Sequence, residues 1–186
     1  MLRLIPTLFV FSILAFPQNT LAQHGGIAHP VSPGHSPGYF RAAVLIGHTF
    51  IPMGPSPDRL AVPSWGLDLE YWFNHKWGAG LHNDLEIETF LVEHEGHEEV
   101  LTREYPLVIT LDALYKPWKQ LVLLAGPGWE FEPNEDFFLI RAGVEYEFEL
   151  GHGWDLSPAF VYDTRQGAYD TWTISLGVGK RLNQAH

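Results

Sequence analysis

From Tyr39 to Arg181 most of the chain is written in a period of two. In Phe137–Phe148, the residues Phe138, Ile140, Ala142, Val144, Tyr146 and Phe148 alternate with Arg141, Gly143, Glu145 and Glu147. Alternate side chains of an extended strand point to opposite faces, so such a run is a strand with one apolar and one polar face. Val62–Phe73 sets Leu67, Leu69, Tyr71 and Phe73 against Asp68 and Glu70. Trp77–Val92 sets Leu81, Leu85, Ile87 and Leu91 against His82, Asp84, Glu86 and Glu88, and Tyr169–Arg181 sets Trp172, Ile174, Leu176 and Val178 against Thr171, Thr173 and Ser175. Tyr39–Ile51, Glu104–Tyr115, Gln120–Phe131 and Trp154–Tyr162 complete eight expected strands, each 9 to 16 residues long. Strands of soluble proteins average about 5–6 residues, whereas a tilted strand crossing a bilayer needs about 9–11. The pattern predicts an all-β, eight-stranded antiparallel up-and-down transmembrane barrel, residues 39–182, apolar face to lipid and polar face to the lumen.

The N-terminus agrees with export. One positive charge at Arg3, a mostly apolar run from Leu4 to Phe16 and a small-residue pattern ending Thr20-Leu21-Ala22 make up a secretory signal peptide, residues 1–22. The run is too short for a spanning helix, which needs about 20 apolar residues, and it contains Pro6. Residues 23–38, rich in His, Pro and Gly, read as a disordered tail, and residues 183–186 as a short C-terminal one. The chain has no cysteine, so no disulfide framework is available. A formal charge of −11 argues against nucleic acid as a partner, because phosphate recognition needs Lys and Arg.

The connections give polarity to the barrel. Asn74-His75-Lys76, Lys116–Lys119 and Glu149–Gly153 are short, while Pro52–Ala61 and Glu93–Arg103 are longer. Outer-membrane barrels alternate short periplasmic turns with longer external loops, which places the N-terminus on the periplasmic side. Trp72, Phe73, Trp77, Trp118, Phe148 and Trp154 crowd the short turns, as a headgroup-level girdle would.

These features resemble the small outer-membrane β-barrel families of Gram-negative bacteria, porin-like and OmpA/OmpX-like. The residues that carry the likeness are the strand–turn–strand Leu69-Glu70-Tyr71-Trp72-Phe73-Asn74-His75-Lys76-Trp77-Gly78 and the closing run Thr173-Ile174-Ser175-Leu176-Gly177-Val178-Gly179-Lys180-Arg181-Leu182. The closing run is similar to the C-terminal signal read by the barrel-assembly machinery, although it ends in Leu182 and four further residues rather than in an aromatic. The resemblance implies localisation in the outer membrane, with membrane lipid and that machinery as partners.

Asp68, Glu70, His82, Asp84, Glu86, Glu88, Asp112, Glu145 and Glu147 are expected on the lumen face, opposed by Arg41, Arg141 and Arg181. Eight strands leave an interior just wide enough for side chains, so this set reads as a salt-bridged polar core. Its acid excess also allows a narrow cation path, since carboxylates lining a pore favour cations. In the third loop His94 and His97 with Glu93 form a candidate site for a divalent metal such as zinc or copper. Enzyme chemistry finds little support: Ser157 and Ser175 have no neighbouring His, glycine-rich phosphate loops and G-x-S-x-G are absent, and no cofactor is expected. The leading expectation is a non-enzymatic barrel, structural or porin-like. Its rivals are a lipid-modifying outer-membrane enzyme and a soluble lipocalin-like barrel. Periodicity does not say which face points inward, and the lipocalin-like barrel would have the faces reversed.

Overall fold

The computed structural model describes residues 38–52, 59–93, 100–165 and 168–182. The expected signal peptide, residues 23–37 of the N-terminal tail and residues 183–186 lie outside them. In chain order the strands are β1 (Tyr39–Pro52), β2 (Arg59–Trp72), β3 (Trp77–Glu86), β4 (Thr89–Glu93), β5 (Val100–Glu104), β6 (Leu107–Tyr115), β7 (Leu121–Phe131), β8 (Phe137–Tyr146), β9 (Phe148–Gly151), β10 (Trp154–Arg165) and β11 (Asp170–Leu182). All barrel pairings are antiparallel, and β1 closes the sheet on β11 with Val44 opposite Val178. β8 and β9 make one stave interrupted at Glu147, whose amide donates to the Gln120 carbonyl at 2.8 Å. Counting them together, the barrel has the eight expected staves.

The short turns are locally specified. Asn74 Oδ1 accepts from the amides of Lys76 at 2.8 Å and Trp77 at 3.0 Å, the side-chain-to-backbone bonding that makes Asn a turn former. Gly151 and Gly153 turn the β9–β10 hairpin with φ of 93° and 75°, a region that glycine enters without steric penalty.

Two expected strands are broken. The run Trp77–Val92 divides into β3 and β4 at Ile87-Glu88, and the following run bends at Tyr105, φ 48°, ahead of Pro106. Proline has no amide to give the ladder, so the chain turns there and β6 begins at Leu107. β4 and β5 then leave the wall and pair as a separate hairpin, Phe90 opposite Arg103. Glu88, expected in the lumen, sits at this bend and is exposed. Within β7, Pro127 likewise interrupts the ladder: pairing with β6 skips from Thr110↔Gly128 to Ala113↔Ala125.

Burial decides the faces. Ile46, Leu111 and Ile174 are 67%, 61% and 51% exposed on the outer surface, whereas Arg41, Asp112 and Glu147 are at most 1% exposed within. The lipocalin-like arrangement is therefore excluded. Each end of the lumen carries an apolar cluster. At the end of the short turns it is Trp72, Leu114, Val122 and Leu124, with Tyr39 against them. At the other end Phe90 and Val92 of the β4–β5 hairpin pack on Ile51, Val62, Phe137, Ala168 and Tyr169.

Candidate functional site

The wall delivers every second residue to the lumen, and the charged ones gather around arginines in three layers. Nearest the short turns, Arg41 of β1 reaches Glu70, Glu145 at 2.7 Å, Asp155 at 2.6 Å and the Ser157 hydroxyl at 3.0 Å. Glu147, close by, takes Lys116 at 2.8 Å and Arg181 at 3.1 Å. In the middle, Arg141 holds Asp163 in a two-pronged pair at 2.8 Å on each prong, and Asp84 at 2.7 Å. Beside it His82 Nδ1 meets Asp112 Oδ2 at 2.8 Å. At the loop end Glu130 receives Arg103, Arg165 and the Tyr169 hydroxyl, the last at 2.7 Å. Burial raises the pKa of the Tyr169 hydroxyl well above the ordinary phenol range, so it stays protonated as a donor to Glu130. Arg103 Nη1 also donates to Glu132 at 3.0 Å, which pins the β5 strand across the loop end of the lumen.

Charge pairing of this kind is what a low-dielectric interior demands, because a buried carboxylate without a partner carries a desolvation penalty of several kcal/mol. Even so, the described residues include ten buried carboxylates against five buried Lys and Arg, with His82 in addition. Among the described residues one small cavity, of about 20 Å³, is lined in part by Asp68, His82, Asp84, Arg141 and Glu145.

Of the expected lumen set, Asp68, Glu70, His82, Glu86, Asp112, Arg141, Glu145 and Glu147 are buried inside, as is Arg41, while Asp84 and Arg181 are partly buried. Glu93 ends β4, and His94 and His97 lie outside the described residues. Sequence reasoning missed Arg103, Glu130, Glu132, Asp155, Asp163 and Arg165, all buried. Asp155, Asp163 and Arg165 share one parity along β10, a signal visible had that strand been extended past Tyr162. Trp72 is a correction. Expected in the girdle, it shares parity with Asp68 and Glu70 and points inward, donating from Nε1 to Glu70 Oε2 at 2.7 Å under the Lys116 ammonium.

Outside, the aromatics form two belts. Near the short turns Phe40 packs on Tyr71 at 4.7 Å between ring centres, Trp77 on Tyr115 at 4.5 Å and Tyr146 on Phe148 at 4.6 Å. Near the loops Phe50 stacks on Trp172 at 4.1 Å and Trp129 meets Phe138 at 5.1 Å. Between them lie aliphatic side chains such as Val44, Leu69, Leu111 and Ile140. An apolar band between aromatic girdles around a polar interior defines a transmembrane β-barrel of the outer-membrane type.

Solved structures agree on the fold. The outer membrane protein OprG from Pseudomonas aeruginosa superposes with a TM-score of 0.57 at 15% identity, covering 81% of this chain and 99% of its own. Ail, the attachment invasion locus protein of Yersinia pestis, gives 0.54 at 14% identity, covering 79% and 100%. A major outer membrane protein from Thermus thermophilus gives 0.51 at 12%, covering 78% and 99%. No protein-family model and no curated protein matches the sequence.

Proposed function

We propose that this is a structural, non-enzymatic outer-membrane barrel whose lumen is a solid ionic core rather than a conducting path. The observation that carries the reading is the stacking of three arginine-centred layers between two apolar clusters, one at each end of the lumen. An ion crossing it would have to break charge-assisted hydrogen bonds of 2.6–2.8 Å and pass Trp72 at one end and Phe90 at the other. Nothing in the arrangement favours acyl chemistry either: the Ser157 hydroxyl accepts from Arg41, and His82, the one buried histidine among the described residues, is engaged with Asp112. The excess of carboxylates supports a second reading, a narrow cation-selective path.

Conductance separates the two. The mature protein, folded in detergent and showing heat-dependent gel mobility, is reconstituted into planar bilayers in potassium chloride. The solid-core reading expects no discrete current steps at moderate voltage. Reproducible cation-selective steps would refute it and establish the path.

A further inference from the structure

The ion-pair network leaves one group of lumen side chains incomplete. Asp68 and His82 stand opposite each other across the β2–β3 ladder, and Glu70 stands opposite Gly80. On the other side of β3, Gly80 is opposite Asp112. The glycine leaves a gap that the His82 ring occupies, since a Cβ at residue 80 would come within 2.3 Å of Nε2. Placed there, the ring directs Nδ1 to Asp112 Oδ2 at 2.8 Å, and Thr110 Oγ1 donates to the same oxygen at 2.7 Å. Nε2, at the other end of the ring, is buried and has no hydrogen-bond partner. One donor atom from each of Asp68, Glu70 and His82 lies within 4.8 Å of the other two, and all three residues are buried.

We propose that Asp68, Glu70 and His82 Nε2 bind a divalent ion of the zinc class inside the barrel, with Asp112 as the positioning carboxylate. A metal-bound imidazole commonly donates its second N–H to a carboxylate, which fixes the tautomer and leaves the far lone pair for the ion. His82 has that arrangement. Zinc takes nitrogen and carboxylate oxygen at about 2.0–2.2 Å, which spaces tetrahedral donors about 3.4 Å apart. Binding would draw the three donors, which lie within 4.8 Å of one another, to that spacing by side-chain rotation. Glu70 can contribute while still holding Arg41 and Trp72, because a carboxylate offers about four lone-pair sites. The cavity of about 20 Å³ beside Asp68 and His82 has room for one water as fourth ligand. The donor set selects among ions: imidazole suits zinc, copper, nickel and iron, whereas magnesium and calcium favour oxygen alone. A divalent charge would also offset part of the surplus of buried carboxylates.

The proposal is independent of whether the lumen conducts. The probe is cobalt(II), whose visible absorption reports coordination, with zinc as competitor. Mature full-length protein is folded in detergent with cobalt, treated with EDTA and desalted. One cobalt per chain is expected, with visible bands that zinc abolishes when it is present during folding. Asp112→Asn should weaken binding about 10–100-fold, the usual effect of losing such a carboxylate. His82→Gln should remove the bands. Every variant keeps His94 and His97, so any binding by them is common to all. If His82→Gln does not fold, Asp112→Asn carries the comparison. Absence of the bands in the unaltered protein, or equal bands in His82→Gln, overturns the site and leaves His82 as a partner of Asp112 alone.

Discussion

Replacing Arg41 by Met tests whether the lumen is a core in the energetic sense. Met roughly preserves the length of the stem and removes only the cation. The guanidinium bonds Glu70, Glu145 at 2.7 Å and Asp155 at 2.6 Å, each a hydrogen bond to a charged partner. Such bonds contribute roughly 1.5–3 kcal/mol each, so three of them set an upper range of about 4.5–9 kcal/mol. The carboxylates left behind are not helpless: they can take up protons or draw in water, which caps the loss. Breaking a buried pair by removing one partner typically costs about 3–5 kcal/mol, and that is the expected destabilisation. With a urea slope of roughly 2–3 kcal/mol per molar, the unfolding midpoint in detergent should fall by about 1–2.5 M. Arg41 is 1% exposed, so the difference should persist at high salt, whereas an exposed pair would be screened. Adding Glu70→Gln to the Arg41→Met variant should recover part of the loss by removing one orphaned charge. A loss below about 1 kcal/mol, or one that disappears in salt, would show that water and ions already fill the lumen, and the solid-core reading would fall with it.

Further expectations follow from the other layers. Ile140→Arg places a charge on the lipid face and should impair membrane insertion by about 2–4 kcal/mol, while inward-facing Thr173→Ser should fold normally; equal behaviour in a vesicle-folding assay would contradict the assignment of faces. A side chain added at inward-facing Gly143, by contrast, should disturb the wall, because a Cβ there would meet the Phe160 carbonyl at 2.9 Å. Phe90→Ala should loosen the β4–β5 hairpin by about 3–5 kcal/mol, read as proteolysis between Ile87 and Pro106 with the barrel intact; unchanged resistance would mean that the apolar cluster does not hold the hairpin. Trp72→Phe removes the indole donor to Glu70 and should cost about 1–3 kcal/mol in urea unfolding, and a neutral result would return Trp72 to a packing role alone.

The architecture was legible because its rule is strictly local. A period of two survives from Leu67 to Phe73 and from Phe138 to Phe148 without reference to anything distant, and strand length alone points to a bilayer. Failures occurred where long-range packing overrides the period. Leu91 continues the parity of Leu81 and Leu85, but Pro106 ends the ladder and the hairpin folds away from the wall. Trp72 was assigned by residue type, since tryptophans favour headgroups, although its parity with Asp68 and Glu70 already placed it inward. The candidate metal group was half visible. Asp68, Glu70, His82 and Asp112 were all expected on one face, but only the register, Glu70 and Asp112 flanking Gly80, shows why the His82 ring lies where it does.

The charge balance joins the solid core to the ion site. Among the described residues, ten buried carboxylates and five buried Lys and Arg do not neutralise one another. An interior held at low dielectric tolerates such a surplus only if protons or bound cations make up the difference. Where arginine is abundant, as around Glu130, each carboxylate oxygen has a cation or a hydroxyl and little is left to bind anything else. At Asp68 and His82, by contrast, the surplus coincides with a cavity, a bare imidazole nitrogen and an unpaired oxygen on Asp112. The acidity of the lumen need not describe a route for ions in transit. It fits a barrel that takes up its compensating cation while it folds, before Trp72 and the β4–β5 hairpin close the two ends, and that holds it thereafter as part of the core.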